Sequence, residues 1–188
     1  MQFSYNTHRL LLKVVNESAA SQVLNFLERN KDFFEPFESA KVPAYYTEKY
    51  QRNILKSEFK AFLKCKYIRF YVYKKDDPER IIGTISFSNF LNYPFLCVSI
   101  GYKFDKTECG KGYAAEAITN AIHAVFSETN IHRITAYVLP ENEPSKKLLE
   151  KIGFEYEGIC KKSICICGEF KDHMQYALIN YNYSYTFQ

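Results

Sequence analysis

Apolar residues along the chain switch between two spacings, and the switches mark the elements. Residues 9–15 read as a first strand, and Asn16 as the cap of a helix carrying Ala20, Val23, Leu24 and Leu27 on one face. Residues 31–37, with Pro36 among them, break that helix. A longer helix is expected over about 43–65, where Tyr46, Tyr50, Ile54, Ala61, Phe62 and Cys65 fall near helical spacing. Three strand-like runs follow at 67–73, 81–90 and 95–102, joined by connections of hairpin length and turn chemistry at 74–78 and 91–94. Ala114, Ala117, Ile118, Ala121, Ile122 and Val125 then form one buried stripe on a helix from Tyr113 to about Glu128. Residues 133–139 alternate as a strand, and a short helix follows, opened by Asn142 and closed by Gly153. Residues 154–162 and 169–178 pair around Cys167-Gly168, and the tail at 181–188 either extends the last strand or stays mobile. The expected class is α/β: a mixed, mostly antiparallel sheet of about seven strands with helices on both faces, an α/β/α sandwich.

Length and composition narrow the picture. With 188 residues the chain is expected to form one domain, 1–188, with a full core. Tyr and Phe number 16 each and Trp is absent; such an excess fills cores and sheets and suits a cleft for a mostly apolar ligand arm. The net charge of +4 is spread along the chain, without the basic stripe of a nucleic-acid binder, and fits a ligand bearing several phosphates. No window approaches the about 18 apolar residues needed to span a bilayer, and the N-terminus lacks a signal-peptide pattern. A soluble, cytoplasmic protein with neither a membrane nor a nucleic acid as partner is expected. The six cysteines match no common zinc spacing and are expected as free thiols, with no metal bound.

The most informative segment is Glu108-Cys109-Gly110-Lys111-Gly112-Tyr113-Ala114-Ala115-Glu116-Ala117. It places two glycines in a turn that opens a helix. The first amides of a helix have no partners and sit at its electropositive end, and glycines let an anion approach them. The turn therefore reads as a phosphate cradle. Upstream is a strand ending in Gly101-Tyr102; downstream are a strand and the short helix with Asn142, Ser145 and Gly153-Phe154.

In this order, these motifs resemble the GCN5-related N-acetyltransferases, and within them the ribosomal-protein N-terminal acetyltransferase branch. Thr7-His8-Arg9-Leu10-Leu11-Leu12 and Lys171-Asp172-His173-Met174-x-Tyr176 are weaker echoes of the same branch. The resemblance implies acetyl-CoA as co-substrate, its pyrophosphate held by the amides of Cys109, Gly110, Lys111, Gly112, Tyr113 and Ala114. It implies that the pantetheine arm lies in a gap beside Ile100, Gly101 and Tyr102, where an amide near residues 99–101 holds the thioester oxygen. Asn142 would orient the arm and Ser145 would protonate the departing thiolate. Bare helix capping is the alternative for Asn142, and a solvated loop lysine the alternative for Lys111. Relatives commonly carry Gln or Arg at the place of Cys109, and a strand carboxylate at the place of Ser99.

The acceptor must be a neutral amine. Deprotonating an α-amine at pH 7 costs roughly 1.4 kcal/mol, against about 4.6 for a lysine, so a site without a strong base suits a protein N-terminus. Glu35 is the candidate base or acceptor contact, with a plain surface carboxylate as its alternative. Structural roles lead for Asp172 and His173. A small amine (polyamine, antibiotic or amino acid) is the second acceptor class, and a non-catalytic acyl-CoA-binding module the rival outside enzymes. Cys109 sits where a helix start lowers thiol pKa, which keeps an acyl-cysteine route beside direct transfer. Monomer and homodimer both stay open.

Overall fold

The computed structural model describes residues 1–183. Among the described residues eight strands are present: β1 (Ser4–Asn6), β2 (Leu10–Lys13), β3 (Ile68–Lys74), β4 (Asp77–Leu91), β5 (Cys97–Phe104), β6 (Arg133–Val138), β7 (Glu155–Ile166) and β8 (Glu169–Ile179). The α-helices are α1 (Ala20–Arg29), α2 (Lys31–Phe34), α3 (Glu48–Leu63), α4 (Tyr113–Glu128) and α5 (Glu143–Lys151). The strands form one sheet in the order β1-β2-β3-β4-β5-β6-β8-β7. Every pair is antiparallel except β5 with β6, which are parallel because α4 carries the chain back across the sheet between them.

Each face of the sheet buries its own layer. The α4 stripe of Ala117, Ile118, Ala121, Ile122 and Val125 packs with Leu12, Phe70, Ile85, Val98 and Ile134. On the opposite face Val23, Phe26, Leu27 and Leu55, from α1 and α3, cover Tyr71, Tyr73 and Ile81. Residues 70–73 are therefore buried on both sides, which is why that run shows no alternation of apolar and polar residues.

β4 begins earlier than expected, at Asp77, and β7 runs on to Ile166; three other boundaries differ for local reasons. The first strand is a hairpin, because Thr7 turns the chain: its Oγ1 accepts from the Leu10 amide at 2.9 Å. The long helix begins at Glu48, since Thr47 caps it by accepting from the Tyr50 amide, and Pro43–Tyr46 is a separate 3-10 turn. β8 ends at Ile179, so residues 180–183 do not lengthen it, and 184–188 lie outside the described residues. Among the described residues no helix is long and apolar enough to cross a membrane.

Just past β5, buried Asp105 ties α1 and β4 to the loop ahead of α4. It accepts from Arg29 Nε at 2.7 Å, Arg80 Nη2 at 2.9 Å, and the amide and hydroxyl of Thr107 at 3.0 and 2.9 Å. Burial alone would raise its pKa; the bonds from Arg29, Thr107 and Arg80 outweigh it and hold the carboxyl well below the usual range. A group with a depressed folded pKa contributes stability above its unfolded pKa and loses it as pH falls. Asp105→Ala is thus expected to lower unfolding stability by about 3 kcal/mol near neutrality. The gap from the parent should shrink as pH drops below about 4, read from urea midpoints across pH.

Candidate active site

The loop before α4 is built around two residues with left-handed backbone, Gly110 (φ 78°) and Gly112 (φ 80°). Gly112 is also the N-cap of α4, with no side chain capping that end. Among the described residues, no hydrogen bond is donated by the amides of residues 110–115. A run of open N–H groups at the positive end of a sixteen-residue helix fits a diphosphate, as a turn sealed by its own side chains would not.

Two side chains of this loop behave differently from the sequence expectation. Lys111 is ion-paired with Glu108 Oε2 at 2.9 Å, so its ammonium is already engaged. Cys109 does not gain a lowered thiol pKa: it lies ahead of the helix start, and burial with nearby Asp105 and Glu108 pushes the thiol up. Its Sγ donates to the Asp105 carbonyl at 3.4 Å. The acyl-cysteine route loses its physical basis.

Next to the loop the sheet opens. The parallel register runs from Cys97↔Arg133 to Ile100↔Ala136 and stops. Beyond it, residues 101–104 keep only β4 as neighbour, and Tyr137 and Val138 keep only β8. A cavity of about 510 Å³ occupies the gap, reaching Cys109, Ala114, Asn142 and Ser145 on the α4 face and Phe34, Glu38 and Arg69 on the other. One passage through the sheet therefore joins the anion loop to a second chamber. Buried Ile100, half-buried Tyr102 and the exposed backbone of Gly101 form its wall. Ser99 shares a 3.3 Å hydrogen bond with Thr135 across the parallel strands.

At the middle of the passage, Ser145 Oγ lies 2.8 Å from the Tyr102 hydroxyl. Burial pushes the Tyr102 pKa up to about 12, with the Ser145 bond opposing, so the phenol is a proton donor at every physiological pH. Asn142 combines its two expected roles: its Oδ1 caps α5 by accepting from the Ser145 amide at 3.2 Å, and the residue also lines the cavity. The pairing of Tyr102 with Ser145 escaped the sequence, because 43 residues separate them and only the β5–α5 contact unites them. The signal available was Tyr102 itself, at the end of the strand that borders the gap.

On the far side, Glu35 does not line the cavity. Phe34, Phe37 and Glu38, three and four residues apart, turn toward it; Glu35 lies on the opposite side of the same turn, half exposed, 3.8 Å from Lys31 and hydrogen-bonded by Tyr46 at 3.3 Å. Its alternative as a surface carboxylate is the one the geometry favours. Glu38 accepts from Lys103 Nζ at 2.7 Å and lies 3.3 Å from Lys41. Burial raises the Glu38 pKa, but the two lysines outweigh it, so Glu38 stays ionised. Lys103 moves down, driven by burial and opposed by Glu38. Arg69 pairs with Glu58 at 2.7 Å beneath this chamber. His173, buried at 3 %, also lines the cavity, its Nδ1 3.1 Å from the Lys171 carbonyl; Asp172 accepts from the Lys162 amide and is structural. Among the described residues no group of three or more His, Cys, Asp or Glu could hold a metal, and all six cysteines are free.

Known proteins share this arrangement. The family profile for the acetyltransferase (GNAT) domain matches residues 9–155. The probable N-acetyltransferase YjcK of Bacillus subtilis (strain 168) is 35% identical over 161 residues, covering 86% of this chain and 88% of that protein. The [ribosomal protein uS5]-alanine N-acetyltransferase of Escherichia coli (strain K12) is 32% identical over 174 residues, 92% of this chain and 88% of that one. The crystal structure of ribosomal-protein-S5-alanine acetyltransferase from Vibrio fischeri superimposes with a TM-score of 0.91 at 30% identity, covering 97% of this chain and all of that one. A profile match over most of the chain, and relatives above 30% identity along nearly all of it, make this protein a member of the GNAT acetyltransferase family.

Proposed function

We propose that this N-acetyltransferase moves the acetyl group of acetyl-CoA directly to the α-amine of a protein N-terminus, of the ribosomal-protein kind. The observation that carries the reading is the through-sheet passage, with open amides at one mouth and an acceptor chamber at the other. Relatives named for uS5 alanine acetylation support the acceptor class.

The chemistry follows from the residues along the passage. The amides of residues 110–115 hold the diphosphate, and the parted edges of β5 and β6 accept the amide-bearing arm. The acceptor nitrogen attacks the thioester carbon from the chamber side, and an amide near residues 99–101 steadies the oxyanion as charge develops. The C–S bond then breaks, and the thiolate takes the Ser145 hydroxyl proton, which Tyr102 replaces before solvent returns a proton to its phenolate. At pH 7 roughly a tenth of an α-amine of pKa 7.7–8.0 is already neutral, so solvent suffices to take the remaining proton.

Charge in the chamber separates the acceptor classes. Lys41, Arg69 and Lys103 line it, and Glu38, its one lining carboxylate among the described residues, is held by two lysines. A polyamine or aminoglycoside brings several cations and finds no free carboxylate; a peptide brings one amine that has to lose its charge anyway. A thiol-release assay should therefore show turnover with peptides bearing a free Ala or Ser N-terminus, at a kcat/KM at least about tenfold above spermidine or kanamycin. Turnover on the polyamines alone would reverse the assignment. Tight CoA binding with no turnover on any amine would favour the binding module.

A further inference from the structure

The anion loop carries a basic side chain from a distant part of the sequence. Arg9 stands in the turn between β1 and β2, and its guanidinium is fixed on three sides. Nε donates to Glu116 Oε2 at 2.7 Å, Nη1 donates to the Lys111 carbonyl at 3.1 Å, and the group lies over the Tyr113 ring, 4.4 Å from its centre. Glu116 is locked in turn by the Thr7 hydroxyl at 2.5 Å and the Arg9 amide at 2.7 Å. Burial would raise the Glu116 pKa, but these bonds outweigh it, so the carboxylate stays charged. Glu116 thereby faces the hairpin, and its charge is matched by Arg9 rather than left to repel a phosphate.

The third guanidinium nitrogen is the informative one. Arg9 Nη2 lies 3.4 Å from where a Cβ on Gly112 would stand, so it presses against the second glycine of the cradle. Among the described residues it donates to no acceptor, and the Arg9 side chain is 40% exposed. Lys111, the loop's own basic residue, is paired with Glu108. Arg9 also acts on the backbone. In a trans peptide the C=O and N–H point in opposite directions, so drawing the Lys111 carbonyl toward Arg9 aims the Gly112 amide away from it.

We infer that Arg9 is a phosphate-binding residue of the donor site. It orients the Gly112 N–H and offers its free Nη2 donors and fixed charge to a phosphate oxygen of the acyl carrier. Glu116, Tyr113 and the Lys111 carbonyl serve as its mount. The inference rests on the donor being a phosphate-bearing thioester and is independent of the acceptor.

The test compares the parent protein with Arg9→Gln and Arg9→Lys, using CoA in calorimetry and acetyl-CoA and S-acetylpantetheine as donors. Arg9→Gln should raise the CoA Kd by about tenfold or more, and Arg9→Lys by less, since lysine keeps the charge but not the fork. The ratio of kcat/KM for acetyl-CoA to that for the phosphate-free donor should fall about tenfold, with kcat at saturating acetyl-CoA within about threefold of the parent. Unchanged CoA affinity in folded Arg9→Gln, or equal losses on both donors, would overturn the inference. If Arg9→Gln does not fold, Arg9→Lys decides by the same ratio. A parent protein that does not bind CoA refutes the donor reading itself, whereas peptides that fail to turn over refute only the acceptor assignment.

Discussion

Gly112→Val is expected to raise the KM for acetyl-CoA by about a hundredfold, a larger effect on donor binding than that of Gly110→Ala or Arg9→Gln. The residue has φ 80°, where a β-branched side chain is a steric outlier costing about 2–3 kcal/mol. The strain is relieved by rotating the adjacent peptides, which swings carbonyl oxygens into the place of the open amides. The new Cβ also meets Arg9 Nη2 at 3.4 Å, disturbing the one side chain braced against the turn. Gly110→Ala is the control: its φ is 78°, but a Cβ there meets nothing within 4 Å, so it carries strain alone and should raise KM by roughly five- to tenfold. Steady-state kinetics with acetyl-CoA varied at fixed peptide give the comparison; similar values for the two variants would remove the close approach from the explanation.

Tyr102→Phe should lower kcat by about a hundredfold and leave the KM for acetyl-CoA nearly unchanged. The 2.8 Å contact between its hydroxyl and Ser145 Oγ makes the two one proton-delivery unit, so Ser145→Ala should cost about as much, and the double variant little more than either alone. The pH profile provides a second readout. An acid works in its protonated form, below its pKa, and burial has pushed that of Tyr102 up to about 12. The rate should accordingly rise through pH 7–8 as the acceptor amine loses its proton, with no descending limb from Tyr102 until pH nears about 12. A folded Tyr102→Phe with parental kcat would mean that water protonates the thiolate.

The donor half of the site was the legible half. A backbone cradle announces itself by glycines at fixed places before a helix, and Gly110, Gly112 and the α4 stripe lie contiguous in sequence. The order of the elements could be read for the same local reason. Chemistry made between distant segments was not visible. Tyr102 reaches Ser145 because β5 parts from β6 after Ile100, and Arg9 reaches Lys111 because Thr7 turns the first hairpin toward α4. Glu35 looked available because it sits in a break between helices, yet helical spacing gives the inward positions to Phe34, Phe37 and Glu38. Cys109 misled for a related reason: its distance from the helix start is short in sequence, but burial, and after it the carboxylates of Asp105 and Glu108, push its thiol the other way.

Backbone amide resonances of residues 110–115, followed while CoA is titrated into isotope-labelled protein, bear most directly on the whole scheme. Downfield movement of those protons, saturating together and absent with S-acetylpantetheine, is the predicted outcome, since only a diphosphate recruits them. Saturable CoA binding that leaves these signals in place while others move would contradict it.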